Sequence, residues 1–260
     1  MKKVLITGAE GTIGTALREL AGERYEFSCL TRTPQDFPST VADIADLEAI
    51  QPAFEGMDAV VHLAADAGVE SPWESILQNN IIGTYNVFEA ARRAGVERVV
   101  FASSNHAVGG YEIEGAPGIY ALDDPRQIDE TVQIRPDSYY GVSKAFGEAL
   151  GRYYVDAFGM RVFCLRIGWV RADDNPHPEE RTGATWLDLP TPEDFYARLR
   201  TIWQSKRDCV QLITKCLDAD HINYGIYYGM SNNPRQFWSL ENARRELGYE
   251  PQDSAPRDLD

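Results

Sequence analysis

A chain of 260 residues that is 43% hydrophobic has enough apolar material for one sizeable core, either as one domain or as one domain with a small appended part. Its formal charge of -15 excludes nucleic acid and anionic membrane surfaces as expected partners, since both reward a basic face. No run of about 18 apolar residues is present, so no transmembrane helix is expected. The opening "MKKVLITGAEG" has two lysines and an apolar run too short for a signal peptide, and reads as a buried strand. Cys29, Cys164, Cys209 and Cys216 show no CxxC pairing and sit mostly in apolar runs, which favours reduced, packed thiols over a metal site or disulfides and a cytoplasmic location.

In chain order, "KVLIT" (3–7) is a β-rich run, and "GTIGTALRELAG" (11–22) repeats its apolar positions at helical spacing before Gly22. "YEFSCLTR" (25–32) reads as a strand, "DLEAIQPAFEG" (46–56) as a helix and "DAVVHLAA" (58–65) as a third strand. "NIIGTYNVFEAARRAG" (80–95) follows as a helix stopped by Gly95, then "RVVFASS" (98–104) as a strand. "KAFGEALGRYYVDAFG" (144–159) is a helix and "RVFCLRIG" (161–168) a further strand. Strands alternating with helices imply right-handed crossovers and a Rossmann-like α/β fold, a doubly wound parallel sheet covered on both faces.

After about residue 170 the pattern changes. "RADDNPHPEERTG" (171–183) is polar and aperiodic, a loop long enough to serve as a lid or binding segment. "PEDFYARLRTIWQS" and "RDCVQLITKCLDA" read as helices, "YGIYYGM" as a strand and "LENARRELG" as a short closing helix, with "QDSAPRDLD" as a frayed tail. Residues 1–168 are therefore expected to form the dinucleotide-binding core, and 169–260 a small substrate-binding cap with a closing strand and helix.

Three stretches carry chemistry. In "TGAEGTIG", Gly8 suits a tight turn, Gly11 lets backbone approach a pyrophosphate, and Gly14 lets helix and strand pack closely, with the helix N-terminus facing the anion. At the end of the second strand an acid would accept bonds from the ribose hydroxyls of NAD, whereas Thr31 and Arg32 stand there, which favours NADP and leaves NAD open. The strand 98–104 delivers Ser103, Ser104, Asn105 and His106 to the sheet's carboxyl edge, where open α/β sheets bind ligands. In "SYYGVSK", Lys144 stands four residues after Tyr140, one turn along a helix, where an ammonium would lower the phenol's pKa and make it a general base; Tyr139 fails this spacing. On its own such a pair is more often an ordinary surface contact.

Together with "HLAA", "ILQNNIIGTYN" and "FASSNH", these motifs identify a resemblance, over nearly the whole chain, to the extended branch of the short-chain dehydrogenase/reductase superfamily (the NAD-dependent epimerase/dehydratase family), and within it to the uronate dehydrogenases and related sugar dehydrogenases. The resemblance implies Ser104, Tyr140 and Lys144 as the catalytic set. It places Gly8, Gly11, Thr12, Ile13, Gly14, Thr31, Arg32, Asp43, Ile44, Leu63, Ala64, Ala65, Asn80 and Ile167 around the cofactor, with Tyr140 and Lys144. It further implies a sugar contact from Asn105 and a carboxylate contact from Arg181, with Ser104 orienting the reacting hydroxyl; His106 is a further candidate for touching the substrate, although a lone histidine is more often incidental. Trp169 stands where the uronate enzymes carry a small serine, the loop 171–181 is longer, and Ala67 lies where a serine is expected, so the substrate pocket is altered. Oxidation of a cyclic uronate, aldose or sugar 6-phosphate at C1 to the lactone is the implied reaction, with a nucleotide-sugar epimerase or dehydratase and a non-catalytic NADP-binding sensor as alternatives. Pairing of two copies through the helices around Tyr140 and Phe88 is an expectation by analogy.

Overall fold

The computed structural model describes residues 1–177, 187 and 189–257. Its centre is a seven-stranded, wholly parallel sheet in the order β3-β2-β1-β4-β5-β6-β7. The strands are β1 (Lys2–Thr7), β2 (Tyr25–Thr31), β3 (Thr40–Val41), β4 (Ala59–His62), β5 (Arg98–Ser104), β6 (Arg161–Ile167) and β7 (Tyr224–Gly229). Helices α1 (Thr12–Ala21), α2 (Leu47–Ile50), α3 (Trp73–Ile76), α4 (Gly83–Arg93), α5 (Gly110–Gly115), α6 (Tyr139–Phe158), α7 (Pro192–Ile202) and α8 (Lys206–Asp218) surround it.

Alternation along a buried strand explains the two cores. Val4 and Ile6 of β1 join one cluster with Leu17 of α1 and Leu212 and Ile213 of α8, while Leu5 joins the other with Val60, Phe88 and Val99. The second half of the chain therefore shares its core with the first: α8 packs on α1, and β7 closes the sheet beside β6. The chain runs outward from β1 to β2 and β3 and returns to β4 on the opposite side of β1, so the crevice at the carboxyl ends of β1 and β4 is the topological switch point.

Several boundaries differ from the sequence expectation. The segment 46–56 is a single helical turn, α2, capped by the Asp46 carboxylate, then a 3-10 turn at Gln51–Phe54 where Pro52 lacks the amide hydrogen a continuing helix needs. The helical run expected from residue 80 begins at Trp73 and passes through a π-helical stretch, Leu77–Ile82, before α4. Helix α6 begins at Tyr139, because the Ser138 hydroxyl caps it by accepting the Gly141 N–H at 3.0 Å, and ends at Gly159 in the left-handed conformation.

The closing segment is a π-helical turn, Ala243–Leu247. The tail is not frayed through residue 257: the Gln252 amide donates to Asp208 at 2.7 Å, Asp253 accepts from Ser205 at 2.7 Å, and Ala255 is buried. Its polar backbone and side chains find buried partners, which composition does not reveal.

All four cysteines are free and buried, and burial raises each thiol's pKa. No described helix is long and apolar enough to cross a membrane, and no metal-ligand cluster occurs among the described residues.

Candidate active site

At the switch point Gly8 adopts φ +69°, and a side chain there would press on the backbone of Ala64. A Cβ at Gly14 would sit 2.7 Å from Ala9 Cα, so this position holds α1 against the turn. A Cβ at Gly11 would meet only the Gly8 carbonyl oxygen, at 3.4 Å, and no side chain caps the helix there, so the start of α1 stands bare at the cavity wall. Beneath the turn, His62 bridges Thr7 (2.8 Å) and Thr84 (3.2 Å), and burial pushes its pKa down to about 3. A neutral imidazole tying β1, β4 and α4 together is thus part of the floor.

Two adjoining cavities meet at Gly8, Gly11, Leu63, Ala65 and Ala67. The first, of about 590 Å³, also has Thr31, Arg32, Asp43, Ile44 and Ala64 in its wall. Thr31 turns inward, its hydroxyl donating to the Thr33 carbonyl at 3.0 Å and pairing with Ser39. Arg32 is the only cation in this wall among the described residues, whereas Glu10, Asp43 and Asp66 supply carboxylates. Arg32→Ala is expected to raise the KM for NADP about tenfold or more, the worth of a charge-assisted hydrogen bond, and to leave that for NAD within about threefold; initial rates with each dinucleotide check this.

The second cavity, of about 500 Å³, is bounded by Thr12, Ile13 and Gly14 from the turn, Ser104, Asn105 and His106 from the end of β5, Tyr140 and Lys144 from α6, and Ile167 and Trp169 after β6. The Tyr140 and Ser104 hydroxyls are hydrogen-bonded. The Lys144 ammonium donates to the Ala102 carbonyl at 2.8 Å and lies 5.2 Å from the Tyr140 ring centre. Burial pushes the Tyr140 phenol up to about 12, against the Ser104 hydrogen bond, and pushes Lys144 down to about 8. Burial, rather than the ammonium, thus sets the direction of the Tyr140 shift, against the expectation of a phenol drawn toward neutrality.

Asn105 is 2% exposed and lines the cavity, and its amide nitrogen has no hydrogen-bond partner among the described residues. His106 donates through Nδ1 to the buried Asp137 carboxylate at 2.7 Å, which fixes the ring against Tyr140 with centroids 5.7 Å apart. Below, the Arg166 guanidinium forks onto Glu148 with two 2.9 Å bonds, and Ser103, beside Ser104, donates to the same carboxylate at 2.6 Å.

Two sequence candidates fall elsewhere. Asn80 is buried but walls neither cavity: its amide clasps the Asp66 backbone in both directions, at 2.8 and 2.9 Å, and donates to Ser143, so it fastens the loop after β4 to α6. Arg181 lies outside the described residues. Conversely, Glu10, Ser75 and Asn79 in the first cavity and Val69, Arg198, Leu199 and Ile202 in the second were not anticipated. Glu10 was visible between the glycines; Arg198 gave no signal, because its facing depends on how α7 docks. That docking requires Gly168, where a Cβ would lie 2.1 Å from the Ile202 carbonyl.

The residues present fit a dinucleotide: a cleft crosses the switch point, glycine clearance and helix amides stand where a pyrophosphate would lie, and a polar cluster stands at its far end. Residues 4–185 match the model of the NAD dependent epimerase/dehydratase family. The chain belongs to that family. It is 41% identical to an NAD-dependent glucose-6-phosphate dehydrogenase of Haloferax volcanii, over 97% of this chain and 94% of that protein. It is 36% identical to an L-arabinose 1-dehydrogenase (NAD(P)(+)) of the same organism, over 98% of both chains. The crystal structure of uronate dehydrogenase from Agrobacterium tumefaciens superposes with a TM-score of 0.79 at 34% identity, covering 98% of this chain and 86% of that one. The Rossmann-like architecture expected from strand and helix alternation is thus the family's own.

Proposed function

We propose that the protein is an NAD(P)-dependent sugar dehydrogenase that oxidises a cyclic sugar at C1 to the lactone. The observation that carries this reading is the meeting of Ser104, Tyr140 and Lys144, from β5 and α6, in a cavity that continues into the glycine-turn cleft. Its support from relatives is the sugar dehydrogenases named above.

In this reading the bound nicotinamide supplies the hydride acceptor. The cofactor is held by the glycine turn, Thr12, Ile13, Arg32, Asp43, Ile44, Leu63, Ala64, Ala65 and Ile167, with Lys144. Ser104 and Asn105 orient the sugar, and His106, locked by Asp137, packs against the base. Tyr140 takes the C1 hydroxyl proton while the C1–H bond breaks. Residues 169–260 act as the cap, with Trp169 shaping the sugar's surroundings.

Burial holds Lys144 down at about 8 and Tyr140 up at about 12, so loss of the phenol's own proton is what limits the base as pH rises. Sugar oxidation is therefore expected to rise roughly tenfold per pH unit through the neutral range, and Lys144→Met, which removes the cation 5.2 Å from the Tyr140 ring centre, should move that limb higher. A profile of kcat/KM against pH checks both, and an unchanged limb in the variant would remove Lys144 from the assignment. The reading itself is tested by offering aldoses, uronates and sugar phosphates with NAD and with NADP and following reduced nicotinamide by absorbance. Reduction by one sugar class supports it; bound cofactor with no reduction across the panel refutes it.

A further inference from the structure

We infer that Arg198 binds an anionic group, phosphate or carboxylate, carried by the sugar substrate. The inference rests on the sugar dehydrogenase reading and adds the residue that selects the substrate class. In a chain of charge -15, the described wall of the second cavity contains no Asp or Glu, yet it holds Lys144 and Arg198 with His106 beside them. Lys144 stands beside Tyr140, whereas Arg198 enters from α7, the element that the cap lays over the sheet edge.

The setting of Arg198 is built. Arg198, Leu199 and Ile202 all wall the cavity, at i, i+1 and i+4 of one helix face. Thr191 and Asp194 form a capping box at the start of α7, and Gly168 admits its end against the sheet, so the position of Arg198 is fixed from both termini. The residue is 5% exposed. Its Nε donates to Glu112 at 2.8 Å, and Tyr120 donates to the same carboxylate oxygen at 2.9 Å. Glu112 thereby holds the guanidinium through Nε at the cavity wall, and a guanidinium is the group whose planar fork matches two oxygens of a carboxylate or phosphate. Asp137, the other acid whose field reaches Arg198, is paired with His106.

The test compares the holoenzyme with Arg198→Gln and with the charge-neutral pair Arg198→Gln/Glu112→Gln, which leaves no unpaired carboxylate behind should the single variant fold poorly. Glucose 6-phosphate, glucuronate and glucose are the probes at saturating cofactor. Both variants are expected to lose about 10- to 150-fold in kcat/KM for an anionic sugar, mainly through KM, as for a lost hydrogen bond to a charged group, with glucose changed by less than about threefold. The phosphate and carboxylate arms show which anion the site takes, and inorganic phosphate or acetate should compete with glucose in the parent and not in the pair variant. Equal losses on charged and neutral sugars, or no loss on either, would overturn the assignment while leaving the dehydrogenase reading intact. A parent that oxidises no sugar removes both.

Discussion

Tyr140→Phe is expected to lower kcat for sugar oxidation by about 100- to 10,000-fold, the range a positioned general base supplies. The loss should fall on chemistry rather than on folding. The phenol ring packs against His106, and that contact survives in Phe, whereas the hydroxyl bonded to Ser104 is the group removed. Cofactor affinity should change by less than about tenfold, the worth of one ordinary hydrogen bond. Single-turnover rates with a C1-deuterated sugar, together with cofactor titration by fluorescence, separate the two effects. A variant that retains turnover would remove Tyr140 from the mechanism, whatever its cofactor affinity.

Glu148→Ala carries the largest expected loss of stability. Glu148 and Arg166 are both nearly inaccessible, at 3% and 1% side-chain exposure, and removing the acid leaves a buried guanidinium unpaired. Breaking such a pair costs about 3 to 5 kcal/mol. For a chain of this size that corresponds to a fall in Tm of roughly 6 to 20 °C. Glu148→Leu combined with Arg166→Met should recover much of the loss, because apolar side chains of similar volume no longer bury a lone charge. Differential scanning calorimetry on the single and double variants decides this, and a double variant as unstable as the single one would contradict it. The pair also accepts from Ser103, so the single variant should additionally loosen the end of β5, where Ser104 begins the polar cluster.

The parallel sheet was legible because its strands are short apolar runs separated by helical periodicity, as in 98–104, where the expected span and β5 coincide. Boundaries failed where local chemistry outweighs periodicity. Pro52 ended a helix that its apolar spacing continues, and the cap at Ser138 started one at Tyr139, ahead of the expected start at Lys144, which brought Tyr140 into the first turn. The candidate site divides in the same way. The glycine turn and the Tyr140–Lys144 spacing are local in sequence and were readable, whereas the inward turn of Thr31, the clasp made by Asn80 and the approach of Arg198 depend on partners 8, 14 and 86 residues away. The expected direction of the Tyr140 shift differs from the one found for a related reason. A charge partner can be read from spacing, but the depth of burial that overrides it cannot.

The most direct test of the central claim follows the fate of C1. The protein is incubated with NAD or NADP and the accepted sugar labelled isotopically at C1, and the sugar is observed by nuclear magnetic resonance while reduced nicotinamide is counted by absorbance. The account predicts the labelled carbon moving to a lactone carbonyl signal, one for each reduced nicotinamide formed. A labelled sugar that instead epimerises or loses water elsewhere in the ring, with no net reduced cofactor, would contradict it.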